Sequence, residues 1–239
     1  MSHLKHLPML IASLASAPAL GQTVYTNDFE SPLGSEWSGL GTIQAPGTLP
    51  AGSFGGGHLR NDTALTGSAG QSLLTLGGIG AHTGLNVVFD FVAWDSWDGG
   101  VGTFPQGDFF EMYLDGALVV SIAPNNNSGI ALIPPTATLT FGPSDFGYTG
   151  FLDRVYRVSL GNLAHTSSTA ALSFRVNGVG WQGGADESFG LDNLSVSLAR
   201  VQGGIPEPST WLTMILGFGF VGGALRRRRK ITRQSLGYA

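Results

Sequence analysis

The stretch Asn86-Val87-Val88-Phe89-Asp90-Phe91-Val92-Ala93-Trp94 decides how this chain is read. Six of its nine residues are β-branched or aromatic, and apolar side chains return at every second position, which is the period of a strand whose successive side chains point to opposite faces. Leu172-Ser173-Phe174-Arg175-Val176 and Leu191-Asp192-Asn193-Leu194-Ser195-Val196-Ser197-Leu198 repeat the alternation. Working outward, strands are expected at Val24–Phe29, Gln71–Leu76, Leu85–Trp94, Asp108–Leu114, Ala117–Ile122, Thr138–Phe141, Arg154–Leu160, Ala170–Asn177 and Gly190–Ala199. Leu114-Asp115-Gly116-Ala117 sets an Asp-Gly turn between two of them, and glycine accepts the positive φ that a primed hairpin turn requires. No run of ten residues at helical spacing occurs between these segments. The expected fold is all-β, an antiparallel two-sheet sandwich of the jelly-roll kind. Two polar excursions interrupt it, residues 123–129 with Pro134-Pro135, and residues 142–150; each reads either as a binding loop or as a tolerated surface insertion.

The flanks have different chemistry. Lys5 precedes an apolar run from Leu7 to Leu20 that ends in Ala17-Pro18-Ala19-Leu20-Gly21, the pattern of a secretory signal peptide over residues 1–21, cleaved after Gly21 or after Ala19. At the other end, Ile205-Pro206-Glu207-Pro208-Ser209-Thr210 leads into the uncharged segment Trp211–Leu225 and then into Arg226-Arg227-Arg228-Arg229-Lys230. Two prolines make the first part an extended strip rather than a helix start. The uncharged part reads as a single transmembrane helix over 211–225. At about 1.5 Å per residue it reaches about 22 Å against about 30 Å of hydrocarbon, so it is short, and its arginines have to snorkel. A bilayer interior rejects each cation by roughly 2.5 to 3.5 kcal/mol, so the basic block holds that end at the cytoplasmic surface. Gly217, Gly219 and Gly222 spell a dinucleotide-binding fingerprint, but they lie inside the apolar run with no room for a βαβ unit, and that reading is rejected. Gly219 and Gly223 instead match the small-residue spacing of closely approaching membrane helices.

The tail from about Ile205 to Arg229 resembles the PEP-CTERM sorting signal of Gram-negative bacteria, with Pro206-Glu207-Pro208, then Trp211, Met214 and Gly217-Phe218-Gly219, then Arg226 to Arg229 in the same order. Trp211-Leu212-Thr213-Met214 departs mildly from the usual Trp-Ala-Met-Met. The resemblance implies recognition by an exosortase, a membrane-embedded cysteine transpeptidase-like enzyme. Cleavage near Pro206-Glu207-Pro208 would follow, with transient inner-membrane anchoring and delivery to the cell surface or extracellular matrix. The sorting tail is placed at 205–233. The same tail is also labelled an ice-binding protein C-terminal domain; Thr136, Thr138 and Thr140 alternate, yet one such strand is far from a ranked threonine array.

Residues 22–204 number 183, enough for one domain with a sizeable core. They hold fifteen acidic residues, five arginines and no lysine, a net charge of −10, whereas the whole chain is at −4. Nucleic acid needs a basic face and is excluded as a partner. No cysteine occurs, so an exported domain has no disulfides, and a bound metal is one way to supply the missing tethers.

Asp28-Phe29-Glu30 lies in the first expected strand and Asp192-Asn193 in the last. First and last strands of sandwiches often pair, which would bring Asp28, Glu30 and Asp192 to one edge as the hard oxygen ligands that calcium prefers; solvated edge carboxylates are the other reading. These segments resemble extracellular jelly-roll domains of the MAM and concanavalin-like class, in which such residues hold a structural Ca2+. Trp94-Asp95-Ser96-Trp97-Asp98-Gly99-Gly100, closing with Asp108, is the second concentration. Trp94 and Trp97 are suited to stacking on a sugar while Asp95, Asp98 and Asp108 accept from its hydroxyls, a site for extracellular polysaccharide. The same aspartates suit a cation, and the tryptophans equally suit a core cap. Trp181 is a lesser candidate of the same type. His58, His82 and His165 lack metal-ligand spacing and read as surface residues. No Gly-x-Ser-x-Gly elbow or thiol nucleophile exists, and Asp186-Glu187 would point to opposite faces of a strand. The expectation is therefore a non-catalytic exported module. A secreted glycan-cleaving enzyme on a concanavalin-like fold and a structural surface coat protein are the alternatives.

Overall fold

A computed structural model describes residues 21–45, 56–100, 107–126, 129–148, 150–199, 212–223 and 226 of the 239-residue chain. The signal-peptide segment up to residue 20, and Pro206, Glu207, Pro208, Trp211 and Arg227 to Arg229 of the tail, lie outside the described residues.

Among the described residues, twelve strands form two antiparallel sheets. One sheet orders β3 (Thr42–Gln44), β4 (His58–Asn61), β12 (Glu187–Leu198), β6 (Gly84–Asp95), β10 (Asp153–Ala164) and β9 (Ala137–Ser144), with β1 (Thr23–Asn27) also on β12. The other orders β2 (Trp37–Gly39), β5 (Ser72–Leu76), β11 (Ala170–Asn177), β7 (Phe109–Leu114) and β8 (Ala117–Ile122). All nine expected strands are present; the three missed ones, β2, β3 and β4, are short.

The alternation behind the strand reading is also what packs the sandwich. Leu85, Val87, Phe89, Phe91 and Ala93 of β6 face inward and meet Phe110 and Met112 of β7 and Phe174 of β11. Phe91 stacks on Phe110 at 4.2 Å between centroids, and Phe89 meets Phe174 edge-on at 5.5 Å. Asp115 and Gly116 both have positive φ, 50° and 82°, so the expected Asp-Gly turn takes the primed form and joins β7 to β8 with Leu114 opposite Ala117.

First and last strands do pair: Thr26 lies opposite Ser195 and Asn27 opposite Leu194. Farther along the same edge of β12, Phe189 to Leu191 pair with β4, while its other edge runs against β6. One extra residue on β12 interrupts the β6 ladder between Asp192 and Ser195, and Asn193 takes the left-handed conformation there at φ 49°. This bulge shifts the inward row from Leu191 to Leu194, both of which stay in the core.

A second, smaller apolar cluster sits on the outer face of the larger sheet. Val92 and Trp94 of β6 and Val155 of β10 are covered by Phe146. Gly147 lies so close to Trp94 that a Cβ there would fall 2.5 Å from its ring, so the chain crosses the indole at a point where only glycine fits. Residues 146–148 of that excursion thus act as a cover for Trp94.

Chain contacts divide at residue 200, with residues 201–239 as a separate unit. In that unit residues 212–223 are helical and exposed. Twelve residues of helix reach about 18 Å, and among the described residues no helix is long and apolar enough to cross a membrane.

Candidate functional site

Three core-facing rows run out into carboxylates at one end of the sandwich. The β6 row ends at Asp95, the β12 row begins with Glu187 ahead of Phe189 and Leu191, and Asp108 precedes the β7 row of Phe110, Met112 and Leu114. Glu187 lies opposite Asp95 in the β6–β12 ladder. Since β6 and β12 belong to one sheet and β7 to the other, acids from both sheets close the same end of the interior.

Asp98 joins them from the segment after β6. Oxygens of Asp98, Asp108 and Glu187 all lie within 4.8 Å of one another. Asp108 and Glu187 are fully buried and Asp98 is partly exposed. Short loop hydrogen bonds hold the group: the Asp98 N–H donates to Asp108 Oδ2 at 2.8 Å, and the Gln182 N–H donates to Glu187 Oε2 at 2.8 Å. The Asp108 N–H donates to Gly99 O at 3.1 Å. The remaining oxygens, Asp108 Oδ1 and Glu187 Oε1, are buried and accept no hydrogen bond from the described residues. Neither residue takes part in an ion pair among the described residues. Burial, followed by the charge of Asp108, raises the Glu187 carboxyl far above the usual range. Burial raises Asp108 as well, with the Asp98 N–H and the neighbouring Glu187 carboxyl pulling back and the Asp98 and Asp186 charges adding to the rise.

The tryptophans expected to stack on sugars are inside the protein. Trp94 is covered by Phe146 and Tyr148, edge-on at 5.3 and 5.2 Å. Trp97 packs edge-on against Phe91 and Trp181 and donates its Nε1–H to Ser188 O at 3.0 Å. Trp181 donates to Thr63 O at 2.8 Å. None of these rings offers a free face to a ligand. Asp95 is also sealed, and its backbone N–H donates to Asp153 Oδ1.

Asp28, Glu30 and Asp192 do not converge, although the strands that carry them are neighbours. Asp28 and Glu30 follow the end of β1 and are exposed; Asp28 Oδ1 accepts from the Glu30 N–H, and Glu30 Oε1 from the Gly57 N–H. Asp192 is fully buried on the opposite face from the core row, next to the bulge, and its Oδ1 accepts the Asn193 N–H at 2.6 Å. Asn193 Nδ2 in turn donates to Asp90 Oδ2. The Asp-Asn pair thus serves the bulge.

The histidines expected at the surface are buried. His82 Nε2 and His165 Nδ1 lie 2.6 Å apart, and His165 Nε2 lies 3.2 Å from Asp115 Oδ2. His58 is enclosed by Trp94 and Tyr148, and burial together with the Arg60 charge pushes its imidazole down to about 3. Glu187 was set aside in the sequence because Asp186 and Glu187 diverge. Asp186 lies in the turn before β12, accepting from Ser96 Oγ, so the two do not sit in one strand, and Glu187 continues the inward row of Phe189 and Leu191, a signal already present in the alternation.

The architecture is that of a β-sandwich, and three solved structures to which the chain is similar have TM-scores of 0.35, 0.33 and 0.31. The xylan-binding domain CBM22-1 of Xyn10C from Paenibacillus barcinonensis is similar at 12% identity and TM-score 0.35, over 78% of this chain and all of that one. The Agl-KA catalytic domain is similar at 15% identity and TM-score 0.33, over 82% of this chain and 32% of that one. A cycloisomaltooligosaccharide glucanotransferase from a Paenibacillus species, complexed with cycloisomaltoheptaose, is similar at 16% identity and TM-score 0.31, over 74% of this chain and 19% of that one. No curated protein matches the sequence. Residues 204–229 match the PEP-CTERM protein-sorting motif, so the chain is a β-sandwich followed by a PEP-CTERM tail.

Proposed function

We propose that the protein is an exported, non-catalytic β-sandwich module, carried across the inner membrane by residues 1–21, held there transiently by the 211–225 segment and processed by an exosortase for the cell surface or matrix of a Gram-negative bacterium. The observation that carries this reading is the sorting motif at 204–229, which begins shortly after the last strand closes the sandwich at Leu198. Several features agree with it: the lysine-free acidic composition between the two flanks, the absence of cysteine, and the burial of the Asp108 and Glu187 carboxylates, which puts them out of reach of a polymeric substrate. Its partners in this reading are extracellular polysaccharide or matrix proteins, met through exposed loops rather than tryptophan faces.

The test is expression of the full chain, with an epitope placed ahead of Gln22, in an exosortase-bearing bacterium and in its exosortase-deleted sibling. The expected result is a shortened, surface or released product in the first and a full-length, membrane-fraction product in the second. Identical size and location in both strains would refute the reading.

A further inference from the structure

In the cysteine-free interior, the two sheets share at one end a set of acids with unused oxygens. Asp108 comes from the head of β7 in the smaller sheet, Glu187 from the head of β12 in the larger, and Asp98 from the segment that leaves β6. Their oxygens lie within 4.8 Å of one another. Two oxygens bound to one cation at 2.3 to 2.6 Å can be no farther apart than about 5 Å, so this spacing suits a shared hard ion. Acid clusters at protein surfaces are commonplace and mean little. Here two of the three carboxylates are fully buried, and each has one buried oxygen, Asp108 Oδ1 and Glu187 Oε1, to which no N–H or hydroxyl group among the described residues donates. An uncompensated buried carboxylate is costly, and its ordinary remedies are an ion pair, a metal or a bound proton. No ion pair to Asp108 or Glu187 is present among the described residues.

We infer that Asp98, Asp108 and Glu187 form a binding site for a divalent, oxygen-seeking cation, Ca2+ foremost, that ties the two sheets together at this end of the sandwich. The site is separate from the sorting tail and does not depend on the export reading. It also differs from the Asp28, Glu30 and Asp192 arrangement expected from the sequence, whose carboxylates do not meet. The ion would join residues far apart in the chain, Asp98 with Glu187 across the sheet and Asp108 from the facing sheet, in the way a disulfide would in a chain that had one. The raised carboxyls of Asp108 and Glu187 mark the alternative, in which a proton neutralises the group instead.

The experiment uses the purified full-length chain in detergent, with Ca2+, Mg2+ or a chelator, followed by thermal unfolding and by Tb3+ luminescence excited through tryptophan. Trp97 adjoins Asp98 in sequence, so a bound Tb3+ would be sensitised. The expected result is a midpoint several degrees higher in Ca2+ than in chelator, together with Tb3+ emission displaced by Ca2+. Mg2+, which demands a tighter octahedron, should give the smaller shift. In Glu187→Gln both responses should vanish while the chelated variant unfolds no earlier than the chelated parent, because a buried charge has been removed. Should Glu187→Gln not fold, Asp98→Asn at the partly exposed ligand gives the same readings. The inference is overturned if the parent responds to neither ion, which leaves the proton as the neutralising species. It is equally overturned if the Ca2+ response survives Glu187→Gln or Asp98→Asn, or is abolished by Asp28→Asn with Glu30→Gln.

Discussion

The Asp153 carboxylate accepts the backbone N–H of Asp95 at 2.8 Å through Oδ1, and its other oxygen accepts the Phe146 N–H at 2.9 Å. One side chain at the head of β10 therefore fixes both the end of β6 and the cover over Trp94. Burial, with a smaller push from the Asp95 charge, raises its carboxyl from 3.8 to about 6, although the amides of Asp95, Phe146 and Gly147 pull it back. The folded protein binds that proton more tightly than the unfolded chain does. The resulting stability is full below about pH 4 and is lost as pH rises through about 6, an effect of about 3 kcal/mol at most. Asp153→Asn removes this pH dependence but turns an NH2 towards one of the two donors, at a cost of about 1 to 3 kcal/mol. Urea unfolding at several pH values between 4 and 8 should show a lower midpoint and a flatter slope for the variant; an unchanged slope would refute the assignment.

His58 predicts the opposite trend. Its imidazole, normally near 6.5, is held down to about 3 by burial and then by Arg60, whose guanidinium lies 3.6 Å from the Tyr148 ring centre. The unfolded chain takes up the proton first, so stability present above about pH 6.5 drains away as pH falls towards 3, by an amount on the order of 5 kcal/mol at the limit. His58→Gln should flatten the acid side of the stability curve while leaving the slope above pH 7 as it was, checked by the same titration.

Trp97→Phe tests whether this indole is core or ligand platform. An aromatic ring is kept, but part of the buried indole volume and the Nε1–H bond to Ser188 O are lost inside the protein. A loss of about 1 to 3 kcal/mol in chemical unfolding is expected, with no change in adsorption to insoluble polysaccharides. A stable variant with weakened adsorption would restore the stacking site.

Gly147→Ala is expected to destabilise by about 1 to 3 kcal/mol, because the new methyl would meet Trp94 at 2.5 Å and push the cover off the outer face. Tryptophan fluorescence should shift to the red as Trp94 gains water. An unshifted spectrum would argue that the cover lies elsewhere.

Strand positions were legible in the sequence where alternation ran for five residues or more, and the hairpin at Asp115-Gly116 was legible from turn chemistry alone. Trp37–Gly39, Thr42–Gln44 and His58–Asn61 were not, because three or four residues establish no period and their pairing depends on distant partners. The site was half legible. Asp98 and Asp108 stood out beside the tryptophans, but the reach of the 142–150 segment over Trp94 is a tertiary fact that no local pattern carries. Glu187 could have been recovered by extending the row from Phe189 by one pleat. Asp28 and Glu30 failed for a related reason: β1 pairs where expected but ends at Asn27, so the acids just beyond it turn to solvent.

The place of β12 has a bearing on when the molecule can become itself. β12 is the last strand to be synthesised, yet β1, β4 and β6 all pair with it, and β1 depends on it across some 170 residues of chain. No earlier strand can stand in for it, so the larger sheet stays open during synthesis until residue 198 has emerged, and the closing contacts are the most non-local ones, which slows folding. The sorting motif starts at residue 204. Only residues 199–203 lie between the last strand and the motif, so in the order of synthesis the tail follows at once on the strand that completes the larger sheet.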